Sequence, residues 1–219
     1  ADTAYTGTVD LTATLGANGS YDDGTGNFVS FTNGPAVVKF TAADKGTKTV
    51  NLKFTKAGVW TLAAADEDPT KADSASTYVQ VAGGPAAAFV ASGYPNPVTA
   101  GKAETLTVTA YDLFGNIANN PNTPFTGTVT VDTTDMGVDG NGTAHRPGPV
   151  PVTFTAGIGK VDVAMWVAGT QDITLAAVSP DPNAKLTTTG ITGIVVVAGA
   201  ATGLRASGYP ASITAGQVG

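Results

Sequence analysis

Apolar and polar side chains alternate along several short segments of this chain. In residues 105–110, leucine, valine and alanine are separated by threonines. The same period of two runs through segments centred on Leu11, Leu52 and Val163. Because successive side chains of a β-strand point to opposite faces, each segment is predicted to be a strand with one buried and one wet face.

Clusters of Gly, Pro, Asn and Asp separate these predicted strands. Examples are Gly115-Asn116, Asn33-Gly34-Pro35 and Pro180-Asp181-Pro182-Asn183. These residue types favour turns, and no window of useful length has the helical period of 3.6 residues. Many short strands joined by turns predict an all-β chain built as antiparallel β-sandwiches.

A segment in the middle of the chain recurs near its end. Ala91-Ser92-Gly93-Tyr94-Pro95 reappears about 115 residues later as Ala206-Ser207-Gly208-Tyr209-Pro210. At the same spacing, Thr99-Ala100-Gly101 reappears as Thr214-Ala215-Gly216. A fixed period of this length is typical of an array of repeated domains.

Shorter matches recur in the same order before and after residue 85. They pair Thr6-Gly7-Thr8-Val9 with Thr126-Gly127-Thr128-Val129, Phe40-Thr41-Ala42 with Phe154-Thr155-Ala156, Ala57-Gly58 with Ala168-Gly169, Thr61-Leu62-Ala63-Ala64 with Thr174-Leu175-Ala176-Ala177, and Val81-Ala82-Gly83 with Val197-Ala198-Gly199. We therefore expect residues 1–84 to be a repeat that lacks its first strands, 85–201 a complete repeat, and 202–219 the first strand of a third.

This ordered set of motifs resembles the tandem bacterial immunoglobulin-like repeats of secreted and surface proteins, in the style of the invasin and intimin extracellular repeats. The motifs are the Gly-Tyr-Pro and Thr-Ala-Gly opening, the strand that ends at 111–116, and the Thr-Gly-Thr-Val, Phe-Thr-Ala and Ala-Gly landmarks. The resemblance implies tandem immunoglobulin-like sandwiches on a bacterial surface or outside the cell. It also implies a spacer, adhesive or wall-associated role without catalysis.

Charge and composition argue against two kinds of interaction, with nucleic acids and with the interior of a membrane. The chain has a net charge of −6, a pI of about 4.5 and no cysteine. An acidic surface argues against binding a nucleic acid, because that partner is itself a polyanion. The longest apolar run, 194–198, has the length of a strand, so no membrane span is predicted.

Two acidic loops are candidate calcium sites, because Ca²⁺ takes carboxylate, amide and backbone oxygens from flexible loops. The candidate ligands are Asp22 and Asp23 in the first repeat, and Asp132, Asp135, Asp139 and Asn141 in the second. The alternative is that these residues make turns, since their spacing fits no recognised calcium loop. Asp112 either contributes near a domain junction or caps the turn through Gly115-Asn116.

Six aromatic or proline positions are candidates for contact surfaces. Trp60 aligns with Ile173 and is predicted to be core, whereas Trp166 aligns with Thr55 on a wet face. Trp166 and Tyr111 either contact a protein or a surface glycan, or are covered by their own domain. The Tyr-Pro pairs that open the repeats, Tyr94-Pro95 and Tyr209-Pro210, are predicted to pack an inter-domain hinge.

No catalytic constellation is evident. The single histidine, His145, lies in a proline-rich loop, and no pair of carboxylates is marked out by the sequence. The favoured function is a non-catalytic structural module: a stalk, sheath, surface-layer or fibre component. The alternative is a carbohydrate-binding or adhesin module, accessory to a secreted hydrolase.

The expected partners are neighbouring repeats or other copies of the chain. A sandwich without its first strands exposes backbone and core, so something must cover the first repeat. The cover is either a segment covalently next to it, or the C-terminal segment of a second copy added head to tail.

Overall fold

A computed structural model describes residues 3–14, 16–68, 70, 74–137, 148–201, 208, 212 and 214–216. Within these ranges the chain forms seventeen β-strands and three single-turn 3-10 helices, at Gly16–Asn18, Phe31–Asn33 and Ala42–Asp44. The described part contains no helix long and apolar enough to cross a bilayer. The prediction of an all-β fold is confirmed.

The strands of residues 8–81, which we call the first half, form two antiparallel sheets. The strands are β1 (Thr8–Ala13), β2 (Gly19–Asp22), β3 (Phe28–Ser30), β4 (Ala36–Lys39), β5 (Leu52–Phe54), β6 (Gly58–Asp66) and β7 (Ser74–Val81). One sheet has the order β4-β1-β6-β7, and the other has the order β3-β2-β5.

The strands of residues 88–197, which we call the second half, form two five-stranded sheets. The strands are β8 (Ala88–Ser92), β9 (Val98–Thr99), β10 (Ala103–Tyr111), β11 (Thr128–Thr133), β12 (Val150–Pro151), β13 (Phe154–Thr155), β14 (Ile158–Ala164), β15 (Gly169–Val178), β16 (Thr187–Thr189) and β17 (Ile191–Val197). Their orders are β13-β14-β10-β8-β16 and β12-β11-β15-β17-β9. The pairs β16·β8 and β17·β9 are parallel, and the others are antiparallel.

One apolar core lies between the two sheets of the second half. Phe89, Leu106 and Val108 enter it from one sheet, while Val129 and Ile194 enter it from the other. These side chains are the apolar members of alternating strands, as the sequence pattern predicts. Two sheets that face one shared core make this half a β-sandwich whose strand pairs are mainly antiparallel.

The larger sheet of the first half repeats the order and register of a sheet in the second half. Strands β4-β1-β6-β7 correspond to β12-β11-β15-β17. Gly58 lies opposite Val81 just as Gly169 lies opposite Val196. Likewise Val9 lies opposite Asp66 as Val129 lies opposite Ala177.

These registers correct two of the sequence matches. The match of Thr61–Ala64 to 174–177 is wrong by two residues, because Trp60 pairs with Val79 at the place where Gln171 pairs with Ile194. The match of Val81 to Val197 is wrong by one. A shift by two leaves an alternating Thr/Ala strand with the same face inward, so residue identity alone does not fix the register. Trp60 is nevertheless core, with a fully buried side chain.

Candidate functional site

The turn that follows β10 is organised by the carboxylate of Asp112. Its Oδ1 accepts the backbone N–H of Phe114 at 2.9 Å and of Asn116 at 2.8 Å. The backbone N–H of Asp112 in turn donates to the carbonyl of Asn116 at 2.8 Å. The capping role expected for Asp112 is therefore present, and it fixes where the side chain of Asn116 points.

The second oxygen of Asp112 reaches the linker between the halves. Oδ2 accepts the N–H of Gly84 at 2.8 Å and the side-chain amide of Asn116 at 2.9 Å. The residue is only 6% exposed. Burial by itself raises the pKa of Asp112, but hydrogen bonds from Asn116, Gly84 and Phe114 outweigh it and hold the pKa below its ordinary value.

Asn116 carries the contact across to the first half. Its Nδ2 donates to the carbonyl of Thr55 at 2.9 Å, and its Oδ1 accepts the N–H of Ala57 at 3.0 Å. Thr55 and Ala57 lie in the loop between β5 and β6. Since Asn116 is also 6% exposed, both of its side-chain polar atoms are satisfied inside the contact.

Asn119 and Gly83 complete this junction. The Oδ1 of Asn119 accepts the N–H of Gly83 at 3.0 Å. A Cβ on Gly83 would lie 1.8 Å from the carbonyl oxygen of Ile117, so only glycine allows the linker to pass this close. We call Gly83, Gly84, Asp112, Asn116 and Asn119 the junction network. Its hydrogen bonds hold backbone groups in place, and it contains no nucleophile beside a base. The arrangement therefore positions the two halves and is not that of a catalytic site.

Sequence reasoning found Asp112 but missed Asn116 and Asn119. The only available signal was that Gly115-Asn116 follows directly on a predicted strand, and we interpreted it as turn chemistry. Nothing in the local sequence indicates that Asn116 faces residues about sixty positions earlier, because that proximity arises only when the two halves meet.

The acidic loop of the first half is a pair of tight turns. Asp22 Oδ1 accepts the N–H groups of Gly24 at 2.9 Å and Gly26 at 3.0 Å. Asp23 Oδ1 accepts both the N–H and the hydroxyl of Thr25. These hydrogen bonds, from Gly24 and Gly26 to Asp22 and from Thr25 to Asp23, lower the pKa of both carboxyls.

The acidic loop of the second half is described only in part. Asp132 accepts the N–H of Thr133 at 2.8 Å. Asp135 is 3% exposed and accepts N–H groups from Gly137 at 2.8 Å, from Val167 at 3.2 Å and from Trp166. Asp139 and Asn141 lie outside the described residues. Within the described ranges, no three acidic or histidine side chains are grouped as metal ligands.

Calcium binding stays a prediction, and a chelator tests it. Suppose that Ca²⁺ binds one of these loops and that its free concentration is a hundred times the dissociation constant. Binding then adds about 2.7 kcal/mol to the free energy of unfolding. Adding EGTA should then lower the midpoint of thermal unfolding by several degrees, and excess Ca²⁺ should restore it. An Asp22→Asn variant should lose part of this response, while coincident midpoints for the native chain would exclude calcium.

Trp166 and Tyr111 are not brought together. Trp166 is half-buried just after β14, where its ring packs beside Gly101 and Gly137. Tyr111 is half-buried at the far end of β10, where its carbonyl accepts the N–H of Ala87. Gly101 lies in the turn that precedes β10, and Tyr111 is the last of the nine residues of that strand, so roughly 30 Å separate the two aromatic residues.

The hinge predicted at Tyr94 is wrong. The side chain is 8% exposed within the core of the second half, and its hydroxyl donates to the carbonyl of Val163 at 3.0 Å. Tyr94 lies where the chain passes from β8 in one sheet to β9 in the other, and its side chain belongs to the core between the two sheets. Pro95 is exposed in the loop between these strands, away from the junction network. Tyr209 and Pro210 lie outside the described residues.

Comparison with known proteins gives a likeness in structure but none in sequence. No protein-family model and no curated protein matches the chain. Domains 4–9 of the surface layer protein SbsC match 87% of this chain and 22% of that one, at 15% identity and a TM-score of 0.31. Invasin, a bacterial integrin-binding protein, matches 86% of this chain and 32% of that one, at 19% identity and a TM-score of 0.33.

A β-glycosidase from Bacteroides vulgatus matches 88% of this chain and 21% of that one, at 14% identity and a TM-score of 0.35. The chain thus spans between a fifth and a third of the length of these three proteins. At such identities and TM-scores the likeness says nothing about what the chain binds.

Proposed function

We propose that the chain is a non-catalytic structural module of an extracellular or cell-surface bacterial protein, serving as a stalk, sheath, surface-layer or fibre component. Its consecutive sandwiches are held in a fixed mutual orientation. Its partners are neighbouring repeats of the same chain or other copies of it. The work of such a module is mechanical: backbone ladders resist extension, and a short anchored linker limits bending.

The junction network is the observation that carries this proposal. The side chains of Asp112, Asn116 and Asn119 each hydrogen-bond to backbone groups of the linker or of the first half. These groups belong to Gly83, Gly84, Thr55 and Ala57. Each bond to a neutral group contributes about 1 kcal/mol, and those to the charged Asp112 contribute more. A linker whose amides are fixed in this way does not act as a flexible spacer.

The repeated pattern supports the same role. One sheet of each half has the same strand order and register, and sequence motifs recur at a fixed spacing. Serial copies of one sandwich, each fixed to the next, suit a load-bearing array. The proposed location outside the cell rests on the resemblance to the immunoglobulin-like repeats of surface proteins.

The competing glycan-binding or adhesin role loses support from the placement of the aromatic residues. A shared sugar-contact face would need Trp166 and Tyr111 side by side, yet they occupy opposite ends of β10. Trp166 also contributes its ring to packing against Gly101 and Gly137. No second function is therefore proposed.

An Asn116→Ala variant tests the proposed stiffness. Its loss of two hydrogen bonds to Thr55 and Ala57 is expected to let the halves reorient, at a cost of about 2 kcal/mol in stability. Residual dipolar couplings should fit one alignment tensor for both halves of the native chain and two tensors for the variant. Small-angle scattering should show a broader distribution of interatomic distances for the variant than for the native chain.

Asn183→Ala is the matched control, because Asn183 is exposed in a turn of the second half. It should leave the couplings and the scattering of the native chain unchanged. Independent tumbling of the halves in the native chain would overturn the proposal.

A further inference from the structure

Strand β4 and its counterpart β12 are the outermost strands of corresponding sheets. This edge therefore belongs to the fold of both halves, and in the first half it lies on the opposite side of the sheet from β7. Val37 lies opposite Asp10 in the first half. Pro151 lies opposite Thr130, the counterpart of Asp10, in the second half. Val37 and Pro151 thus occupy the same place on the edge.

In the first half, the backbone of this edge is open. The N–H of Phe40 donates to the carbonyl of Gly7, which directly precedes β1. Backbone groups of a strand alternate in direction, so those of Val37 and Lys39 point away from β1. The carbonyl of Lys39 is satisfied by the Nζ of Lys48, which donates to it at 2.6 Å. Among the described residues, the N–H and carbonyl of Val37 and the N–H of Lys39 have no partner.

In the second half, a proline guards the same edge. The N–H of Val152 donates to the carbonyl of Val129, so the backbone of Pro151 points away from β11. Proline has no N–H to offer to an added strand, and it is a common guard of exposed sheet edges. The first half lacks this guard, and the Val37 in its place is 62% exposed.

The space beside the open edge is a cleft of about 520 Å³. Its walls are β4, the turn after β2 and the segment that leads into β5. Two lysines, Lys39 and Lys48, and two aspartates, Asp22 and Asp23, line it. Their charges cancel, although the whole chain carries −6. A second copy therefore meets no excess of like charge at this edge.

The open groups of β4 complement those of a second β4 that runs in the opposite direction. A two-fold rotation at Val37 places this residue opposite itself and places Lys39 opposite Pro35. The N–H of each Val37 then faces the carbonyl of the other, and the N–H of Lys39 faces the carbonyl of Pro35. The carbonyl of Lys39 would face a proline nitrogen, and it is the one that Lys48 already satisfies. No open group of the edge is left without a partner.

We propose that two copies of the chain pair side by side through their β4 edges, antiparallel about a two-fold axis at Val37. The pairing forms four backbone hydrogen bonds, two between the Val37 residues and two from Lys39 to Pro35. It joins the two β4-β1-β6-β7 sheets into one continuous sheet. Because the contact uses the same surface on both copies, it closes at a dimer.

Association of the full-length chain is the first test. Sedimentation velocity across a wide concentration range should show a monomer–dimer equilibrium for the native chain. Val37→Lys should be monomeric over the same range, because it places two positive charges directly opposite each other at the axis.

Val59→Lys is the matched control for this substitution. Val59 is also 62% exposed and lies on the same face of the sheet, but in the inner strand β6. This variant should dimerise as the native chain does. A native chain that stays monomeric at all concentrations, or equal effects of the two lysine substitutions, would overturn the proposal.

Directed cross-linking is the second test, and the absence of native cysteine leaves only the introduced thiol. In the proposed pair the Cα atoms of the two Val37 residues lie about 5.5 Å apart, a distance that a disulfide spans. Val37→Cys should therefore form a disulfide-linked dimer under mild oxidation, while the equally exposed Val59→Cys should stay largely monomeric. Equal cross-linking of the two variants would contradict pairing at Val37.

Val37→Pro transfers the guard of the second half to the first. Pro151 shows that this place in the strand accepts a proline. The variant removes two of the four proposed hydrogen bonds, so the dissociation constant of the dimer should rise about thirtyfold. An unchanged dissociation constant would show that the edge of β4 does not form the contact.

The pairing adds a lateral partner to the proposed structural role and rests on that role for its use, yet the two can fail separately. Val37 takes no part in the junction network, so the residual dipolar couplings of Val37→Lys should still fit one alignment tensor. A native chain that is monomeric but rigid would remove the pairing alone. A dimer whose halves tumble independently would remove the stiffness alone.

Discussion

Replacing Trp60 with alanine is expected to lower the free energy of unfolding of the first half by about 3–5 kcal/mol. The indole is fully buried, and its ring centroid lies 4.7 Å from that of Phe54. Its Nε1 donates to the carbonyl of Lys56 at 3.0 Å. Few other described side chains of this half are buried. Removal of the indole therefore takes away a large part of the buried apolar surface of this half.

Urea titration followed by circular dichroism measures the loss, and amide exchange locates it in β6 and β7 rather than in β15. Trp60→Phe should cost less than the alanine variant, because it keeps an aromatic ring against Phe54. Val59→Ala is the surface control: Val59 is next in sequence and 62% exposed, so the expected change is within about 0.5 kcal/mol. Equal effects of Trp60→Ala and Val59→Ala would contradict the assignment of Trp60 as the centre of this core.

Replacing Asp112 with asparagine is expected to cost about 3 kcal/mol at neutral pH. The carboxylate accepts four hydrogen bonds, from Phe114, Gly84, and the backbone and side chain of Asn116. An amide in its place has one oxygen only, so its NH₂ group faces donors on Gly84 or Phe114. The variant therefore loses charge-assisted bonds and gains an unsatisfied contact inside the junction network.

The pH dependence of this difference follows from the lowered pKa of Asp112. A carboxyl whose pKa is lower in the folded state stabilises the fold above its unfolded value, which is about 4. That contribution disappears as the pH falls through the folded pKa. The gap in stability between the native chain and Asp112→Asn should accordingly be full near pH 7 and shrink below about pH 4.

Asp162→Asn is the control for this series, since Asp162 is exposed and accepts one bond, from the hydroxyl of Thr105 at 2.7 Å. Its effect should stay within about 0.5 kcal/mol. A gap between native chain and Asp112→Asn that is unchanged from pH 7 to pH 3 would show that charge on Asp112 does not hold the junction.

The strands could be predicted because their signal is local. The alternation in 105–110 lies inside β10, and the turn residues Gly115 and Asn116 follow its end. The register between repeats was less secure, as the match of Thr61–Ala64 shows. In strands of small, similar residues, many alignments place the same face inward, and only the pairing of Gly58 with Val81 selects one.

The misplacement of Tyr94 has a different cause. A tyrosine beside a proline between two predicted domains indicates a hinge. The sequence does not show which sheet the next strand joins. The chain switches sheets between β8 and β9, and that switch carries the ring into the core of one sandwich. Local sequence patterns could not predict the contacts of Asn116 with Thr55 and Ala57 either.

By itself, the sequence determined the all-β class, the alternating faces, the positions of the turns and the recurrence of the motif at 91–101 and 206–216. These follow from period, turn chemistry and identity, which are properties of neighbouring residues. Only the tertiary structure decided the register between the halves, the buried place of Tyr94, the junction network and the open edge of β4. Each of these depends on which distant backbone groups face one another, and that is set by the packing of sheets rather than by any short stretch of chain.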